Sequence, residues 1–284
     1  MTSNLVSVII CVKNAEDTIE KCLVSALKNN PKEVTIVYAK SNDRTLEICK
    51  KFPVNILNDE GIGLGNARNL ALKQTTSKFI YYIGPDDILE KNSIENLVNY
   101  IKKVDWIGVS PLVEVIKSNK TYVGKCLNIT RKAKNYEGEK KVIGTPWMYH
   151  TSILKEYMYD SNLTYSDDSD INHRMRENGL KVGVSNVLCF TEGDKDIKTV
   201  FSRWKMYGRS DAEYYNKYLK NSNLRLKSNS ILSPLKKEFI IVIASLRISL
   251  INKIYILPYL LILVLSRYYG WITSKKSKKW EKKM

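Results

Sequence analysis

Along the first hundred residues, short apolar runs alternate with stretches whose apolar positions recur every three or four residues. Leu5–Val12 (LVSVIICV), Glu33–Tyr38 (EVTIVY), the weaker Pro53–Leu57 and Lys78–Ile83 are compact and apolar, with β-branched residues prominent, the pattern of strands buried on both faces. Between and after them, Asn14–Leu27, Thr45–Lys51, Asn66–Lys73 and Asn92–Ile101 read as helices, with Ile19, Leu23 and Ala26 on one stripe. Gly61, Gly63 and Gly65 form a flexible loop before the third, and Asn92-x-x-Glu95 has the form of a capping box at the fourth. Four strand–helix alternations predict βαβ units and a mostly parallel sheet. Beyond residue 104 the pattern loosens. Trp106–Val109, Leu112–Ile116, Thr121–Val123 and Val182–Phe190 read as strands, and Ile171–Asn178 as a polar helix closed by Gly179.

Ligands of such sheets bind beyond the carboxyl ends of the strands. Three loops fall there: Lys13-Asn14, Tyr38–Asn42 and Gly84–Asp87. In the last, KFIYYIGPDDIL, an apolar strand breaks at Gly-Pro and presents Asp86 and Asp87 side by side. Turn chemistry alone accounts for that tetrapeptide. Its place on the shared rim adds a second reading, a hard divalent cation (Mg²⁺ or Mn²⁺) held by one or two carboxylates and completed by a diphosphate. A second acidic cluster, Asp167-Asp168-Ser169-Asp170, precedes the polar helix. Asp170 suits a helix cap or an i,i+4 pair with Arg174, but three acids in four residues exceed what a cap needs, and one of them is a candidate general base. Arg68, Arg203 and Arg209 offer planar, permanently charged forks for phosphate, or else are solvated surface charges.

Composition changes the picture mainly at the C-terminus. The 284 residues carry a formal charge of +17, and from Leu235 to Met284 there are eleven basic residues against two acidic ones. Phe239–Leu250 and Ile254–Leu265 are rich in Ile and Leu, yet each is shorter than the roughly 20 residues that span a bilayer. Interfacial or re-entrant helices beside acidic lipid headgroups are expected, the alternative being core helices. This gives two expected domains, 1–220 and a helical membrane-associating tail, 221–284. Five scattered cysteines without a C-x-x-C pair argue against a disulfide framework or zinc site, and two histidines leave little for a His-based triad. Met1-Thr-Ser-Asn lacks the basic start of a signal peptide, so a cytoplasmic face is expected.

The order and spacing of SVIICVKNAEDTIEKCLVSAL, SNDRTLEICKKF, GLGNARNLAL, YYIGPDDIL, GTPWMYH and YSDDSDINHRMRENGLKVG resemble a family 2 glycosyltransferase with the GT-A fold, a Rossmann-like α/β fold. The likeness runs from about Val6 to Tyr215. It implies an inverting enzyme that uses a nucleoside-diphosphate sugar and a divalent cation. By the same resemblance Asp86 matches the metal-binding acid of the family's Asp-x-Asp. Asp168 matches the proposed base, with Asp167 standing where Glu is usual. Lys13, Asn14, Glu16, Tyr38, Asn66, Arg68 and Asp87 fall on the donor side. Arg203 and Arg209 resemble the basic segment near the acceptor or its diphosphate in membrane-linked members. Three positions depart from the pattern: Gly84 replaces the first Asp of Asp-x-Asp, Tyr38 stands where a base-contacting Asp is usual, and Thr191 or Glu192 falls where a metal-binding His is often found. The implied activity is transfer of a sugar to a lipid-linked glycan or polyprenyl phosphate at a membrane surface. Those departures keep open a catalytically weakened nucleotide-binding scaffold. The net charge raises a third reading, a nucleic-acid binder, but the excess sits beside apolar helices and not over an aromatic-studded face.

Overall fold

A computed structural model describes residues 2–59, 61, 63–116, 120–163, 166–193, 196–219 and 235–281, and the side chains of these except Leu219, Lys237 and 275–281. The chain forms two compact units: Met1–Ile116 with Tyr136–Asn162 and Asp167–Glu192, and Lys117–Asn135 with Leu163–Ser166 and Gly193–Met284. Residues 193–219, grouped by composition with the N-terminal domain, thus pack with the C-terminal helices.

The first unit is built on one mixed sheet. Its strands are β1 (Val6–Val12), β2 (Glu33–Ala39), β3 (Asn55–Asp59), β4 (Phe79–Ile83), β5 (Asp87–Leu89), β6 (Gly108–Val115), β7 (Gly138–Lys140), β8 (Trp147–His150) and β9 (Val182–Thr191). They run in the order β3-β2-β1-β4-β8-β6-β9-β5, with β7 also on β9. β1, β2, β3 and β4 are mutually parallel, as the alternating pattern predicts. β8 enters antiparallel between β4 and β6, so the second half of the sheet is mixed. Alternate residues of β1 feed two cores. Val6, Val8, Ile10 and Val12 pack with helices α1 (Ile19–Leu27) and α4 (Ser93–Ile101). Ile9 packs on the other face with α3 (Leu64–Gln74), α6 (Thr151–Tyr157) and α7 (Asp167–Glu177). Each fully buried aliphatic side chain contributes about 1.5–3 kcal/mol, which fixes the register of the central strands. β1 connects to β2 on one side and lies against β4 on the other. The strand order therefore reverses at β1/β4, where open α/β sheets take their ligands.

Three local expectations are corrected. Asn92 does not form a capping box; it adopts φ 62° without a side-chain cap, and Asn29 Oδ1 accepts the Ile94 N–H at 3.2 Å instead. Thr121–Val123 is not a strand. Thr121 caps α5 (Tyr122–Lys134), its hydroxyl accepting from the Gly124 N–H at 3.0 Å. The polar helix starts four residues early, so Asp167, Asp168 and Asp170 form the first turn of α7, where backbone N–H groups favour anions. Short α2 (Thr45–Cys49) completes the helices of this unit.

The second unit is helical: α5, α8 (Ile197–Leu219), a π turn at Lys236–Ile240 leading into α9 (Ile241–Ala244), and α10 (Leu250–Glu281). Residues 221–234 of the expected tail, and the side chains of its basic run from Lys275, lie outside what the structure describes. The two expected short apolar helices are reorganised. The first breaks near Ser245, while the second continues through Pro258 and Arg267 as one helix of 32 residues. By length and composition its Leu250–Ser274 stretch could cross a membrane. Arg267, which lies just beyond the second expected run, is 9% exposed and answered inside the unit. Its Nε and Nη2 donate to Asp211 at 2.6 and 3.0 Å, and its Nη1 to Glu238, which also pairs with Lys134 at 2.6 Å. α8 and α10 touch backbone to backbone: a β-carbon on Gly208 would lie 1.9 Å from the Arg267 carbonyl oxygen, and one on Gly270 1.9 Å from that of Lys205.

Candidate active site

The loops after β1 and β2 are locked together by their own polar groups. Asn14, at φ 49°, donates its N–H to Ser41 Oγ at 3.0 Å, and its Oδ1 accepts from the Asn42 N–H at 2.9 Å. The Glu16 N–H donates to Asp43 Oδ2 at 3.1 Å, and Glu16 Oε2 accepts from the backbone N–H and Nε of Arg44 at 3.1 and 3.3 Å. The Tyr38 hydroxyl accepts from the Ser41 N–H at 3.0 Å. Lys13 precedes Asn14 in the chain, and Asn14, Glu16 and Tyr38 thus share one connected rim. Its organiser, Asp43, escaped the sequence reading; its hydrogen bonds, first from the Thr45 hydroxyl, hold its pKa below the usual carboxylate value. The clue was an Asn-Asp pair just ahead of a helix.

After β4 the two adjacent acids part company. Asp87 is 5% exposed and closes the turn, its Oδ2 accepting from the Gly84 N–H at 2.6 Å. Asp86 is half-buried, and its Oδ2 accepts from the Thr191 hydroxyl at 2.8 Å. The turn reading therefore holds for Asp87, and Asp86 is the acid left for a ligand. Gly84 belongs to this geometry: a β-carbon there would lie 2.9 Å from Asp86 Oδ1. The described residues contain no cluster of three or more His, Cys, Asp or Glu side chains suited to a metal. One outward carboxylate with a neighbouring hydroxyl fits a Mg²⁺-like ion that draws most of its shell from phosphate oxygens and water.

The second acidic cluster is tied to α3. After Gly65 and Asn66 this helix is mostly Ala, Leu, Arg, Lys and Gln, good helix formers, and Ala67, Arg68, Ala71 and Leu72 lie on its buried face. Arg68, expected on the donor side, is 4% exposed, and burying that charge demands counter-charge. Its Nη1 donates to Asp167 Oδ2 at 2.5 Å and to Asp168 Oδ1 at 2.6 Å, and its Nη2 to Thr145 Oγ1 at 2.6 Å. The rings of Tyr82, Trp147 and Tyr159 surround the guanidinium at 5.4–5.9 Å. Thr145, Trp147 and Tyr159 had no functional signal of their own in the sequence. Tyr82 also donates its hydroxyl to the Arg68 carbonyl at 2.7 Å, and lies on β4 just before the Gly84–Asp87 turn. Asn66 sits half-buried in the first turn of α3. Asp170 is fully buried and pairs with Arg174 at 2.9 Å, a structural role.

Asp168 stands out electrostatically. Burial pushes its carboxyl up to about 7 and Asp167 adds to this, while Arg68 opposes it. The Trp147 indole N–H also lowers it, although that N–H does not meet full hydrogen-bond geometry. Asn172 holds the neighbouring chain in place, donating to the carbonyls of Asp168 (2.7 Å) and Ile143 (3.1 Å). Next to Ile143, Gly144 has no side chain over Asp168 Oδ2; a β-carbon there would lie 3.5 Å from that oxygen. The Cys11 thiol at the end of β1 is pushed up to about 12, chiefly by burial, and is no nucleophile at neutral pH. In the second unit, Arg203 is half-buried and Arg209 exposed on α8. A surface groove of about 810 Å³ along α1 and β5 is lined by none of the candidate residues.

Comparison with known proteins gives this arrangement a family. The family profile described as Glycosyl transferase family 2 matches residues 7–158. Glycosyltransferase GlyA of Streptococcus pneumoniae is 30% identical over 113 residues, covering 37% of this chain and 16% of GlyA. The Escherichia coli UDP-Glc:alpha-D-GlcNAc-diphosphoundecaprenol beta-1,3-glucosyltransferase WfaP is 32% identical over 104 residues, covering 34% of this chain and 41% of WfaP. The chain thus spans less than half the length of either relative. Among solved structures, the mannosyltransferase PcManGT from Pyrobaculum calidifontis, in complex with GDP-Man and Mn²⁺, superposes with a TM-score of 0.66 at 14% identity, covering 96% of this chain and 87% of that one. That likeness supports the GT-A fold expected from the sequence. More than half of the chain lies within the family match, and the protein belongs to glycosyl transferase family 2.

Proposed function

We propose that this glycosyltransferase moves a sugar from a nucleoside-diphosphate sugar, with inversion, to an acceptor carried on a membrane lipid at a cytoplasmic face. The observation that carries the reading is Asp168: a carboxylate at the start of α7, pushed up to about 7, with one oxygen held by Arg68. A group titrating near neutral pH is suited to general-base work. Lys13, Asn14, Glu16, Tyr38 and Asn66 would line the donor. Asp86 would hold a Mg²⁺ or Mn²⁺ ion, which when bound supplies positive charge against the diphosphate. Asp168 takes the proton of the acceptor hydroxyl as that oxygen bonds to the anomeric carbon from the face opposite the leaving group. The bond from that carbon to the diphosphate breaks, and the nucleoside diphosphate leaves with the electron pair. Asp167 keeps Arg68 in place, and Arg203 and Arg209 would meet the acceptor's phosphates.

A lipid-linked acceptor is supported by the relative WfaP, whose name specifies a diphosphoundecaprenol acceptor, and by α10. Leu250, Ile251, Ile254, Leu261, Leu265 and Ile272 are each more than half exposed and follow one stripe of this helix. The stripe is about 33 Å long and carries no charge. The opposite face packs on α8, which bears Lys205, Arg209, Asp211, Glu213 and Lys217. A helix bound on one side to so polar a partner suits the membrane interface, with the stripe toward lipid.

The test is a panel of UDP- and GDP-sugars with Mn²⁺, read by calorimetry for binding and by nucleoside diphosphate release with membrane lipid extracts for turnover. Asp86→Ala is expected to lose metal-dependent donor binding. Asp168→Asn is expected to bind donor and release nothing. Donor binding without turnover across the panel would favour a nucleotide-binding scaffold, a reading to which Gly84 and Tyr38 lend support.

A further inference from the structure

The Arg68 cluster is not arranged as a stabilising ion pair would be. A single nitrogen serves two neighbouring carboxylates, Asp167 Oδ2 and Asp168 Oδ1, which repel each other. Three aromatic rings wall off the guanidinium, so its charge acts with little solvent screening. Thr145 fixes its other nitrogen at 2.6 Å. Arg68 holds Asp168 through Oδ1, while Oδ2 lies beside Gly144, where a β-carbon would sit 3.5 Å from it.

We propose that Arg68 is a positioning residue for the reaction: it clamps Asp168 through Oδ1 and presents Oδ2 to the acceptor hydroxyl. The inference rests on Asp168 being the base. Two charges set the proton affinity of that base in opposite senses: Arg68 from α3 lowers it, and Asp167 on the same helix raises it. The remaining groups around the carboxylate are Trp147 and Tyr149 of β8, and Tyr159 beyond α6. Burial keeps both tyrosines well above their ordinary value and therefore neutral. Arg68 and Asp167 are thus the two charged controls on Asp168.

The test follows the Asp168 carboxyl by ¹³C NMR of aspartate-labelled full-length protein, the signal being assigned by its loss in Asp168→Asn. The wild-type midpoint is expected near 7. Arg68→Gln is expected to raise it by about 1–3 units, the size of an opposite-charge effect at this range. Arg68→Lys is expected to restore part of that shift, since a point charge cannot grip both acids and Thr145. Asp167→Asn is expected to move the midpoint downward. If Arg68→Gln does not fold, Arg68→Lys and Asp167→Asn still carry the test through their opposite signs. An unmoved midpoint in any folded Arg68 variant, or an upward shift in Asp167→Asn, overturns the proposal. This readout needs no substrate, so the donor panel can fail while it succeeds. With a donor in hand, Arg68→Gln is expected to lower kcat at pH 7, with KM for the donor little changed and activity recovering as pH rises.

Discussion

Asp168 should cost the protein stability, and this can be measured before either substrate is known. Its carboxyl lies at about 7 against an ordinary 3.8. A carboxyl with a raised folded pKa binds its proton more tightly in the native state. Its stabilising contribution is therefore complete below about pH 4 and is lost as pH climbs through 7. Three units correspond to about 4 kcal/mol. Solvent still reaches 23% of the side chain, and its screening reduces the expected loss to about 1–2 kcal/mol. Asp168→Asn keeps the shape and removes the ionisation. Relative to wild type, its stability should rise between pH 4 and 7 and level off above, a gain in Tm of about 2–8 °C at pH 8. Urea or thermal unfolding of both proteins at pH 5, 6, 7 and 8 reads this directly. A variant that becomes less stable than wild type as pH rises would mean that Arg68 stabilises a permanently ionised Asp168, and the base assignment would lose its physical support.

Other outcomes follow from the same structure. Gly84→Ala should fold normally but displace the Asp86 carboxylate, weakening Mn²⁺-dependent binding of UDP- or GDP-sugars by calorimetry. Arg267→Met removes the cation from beside Asp211 and Glu238, which are 5% and 3% exposed, and should destabilise the protein by about 3–5 kcal/mol in urea. Lys134 keeps part of the compensation at Glu238, so Asp211→Leu added to Arg267→Met should recover most of the loss. Leu261→Lys with Leu265→Lys should leave Tm unchanged and abolish flotation with vesicles containing anionic lipid. Full flotation of that variant would remove the stripe from the membrane contact.

The parallel half of the sheet was legible because Leu5–Val12 and Phe79–Ile83 are apolar but for Ser7, and helices of ordinary spacing separate the strands. Asp86 was legible as an acid at a strand end because the Gly-Pro break marks that end, and Asp168 only as one of a cluster of acids, the helix start itself having been read four residues late. The division of labour between Asp86 and Asp87 was not, since it depends on a hydrogen bond to the Gly84 N–H that only the folded turn supplies. Nor was the fate of Arg68: its partners lie about a hundred residues away, and nothing local distinguishes it from a surface arginine. The capping box at Asn92 failed for a related reason, a distant Asn29 having taken the role. α10 was read as ending near Leu265 because Arg267 looks like an interruption until Asp211 and Glu238 are seen to receive it.

The close crossing of α8 and α10 at Gly208 and Gly270 separates what can change from what cannot. No side chain fits at that crossing, so the inner faces of α8 and α10 are closed to variation. The outer stripe of α10 is more than half exposed. Substitutions at those half dozen outward positions would change the surface that α10 presents and leave the helical pair beneath them untouched.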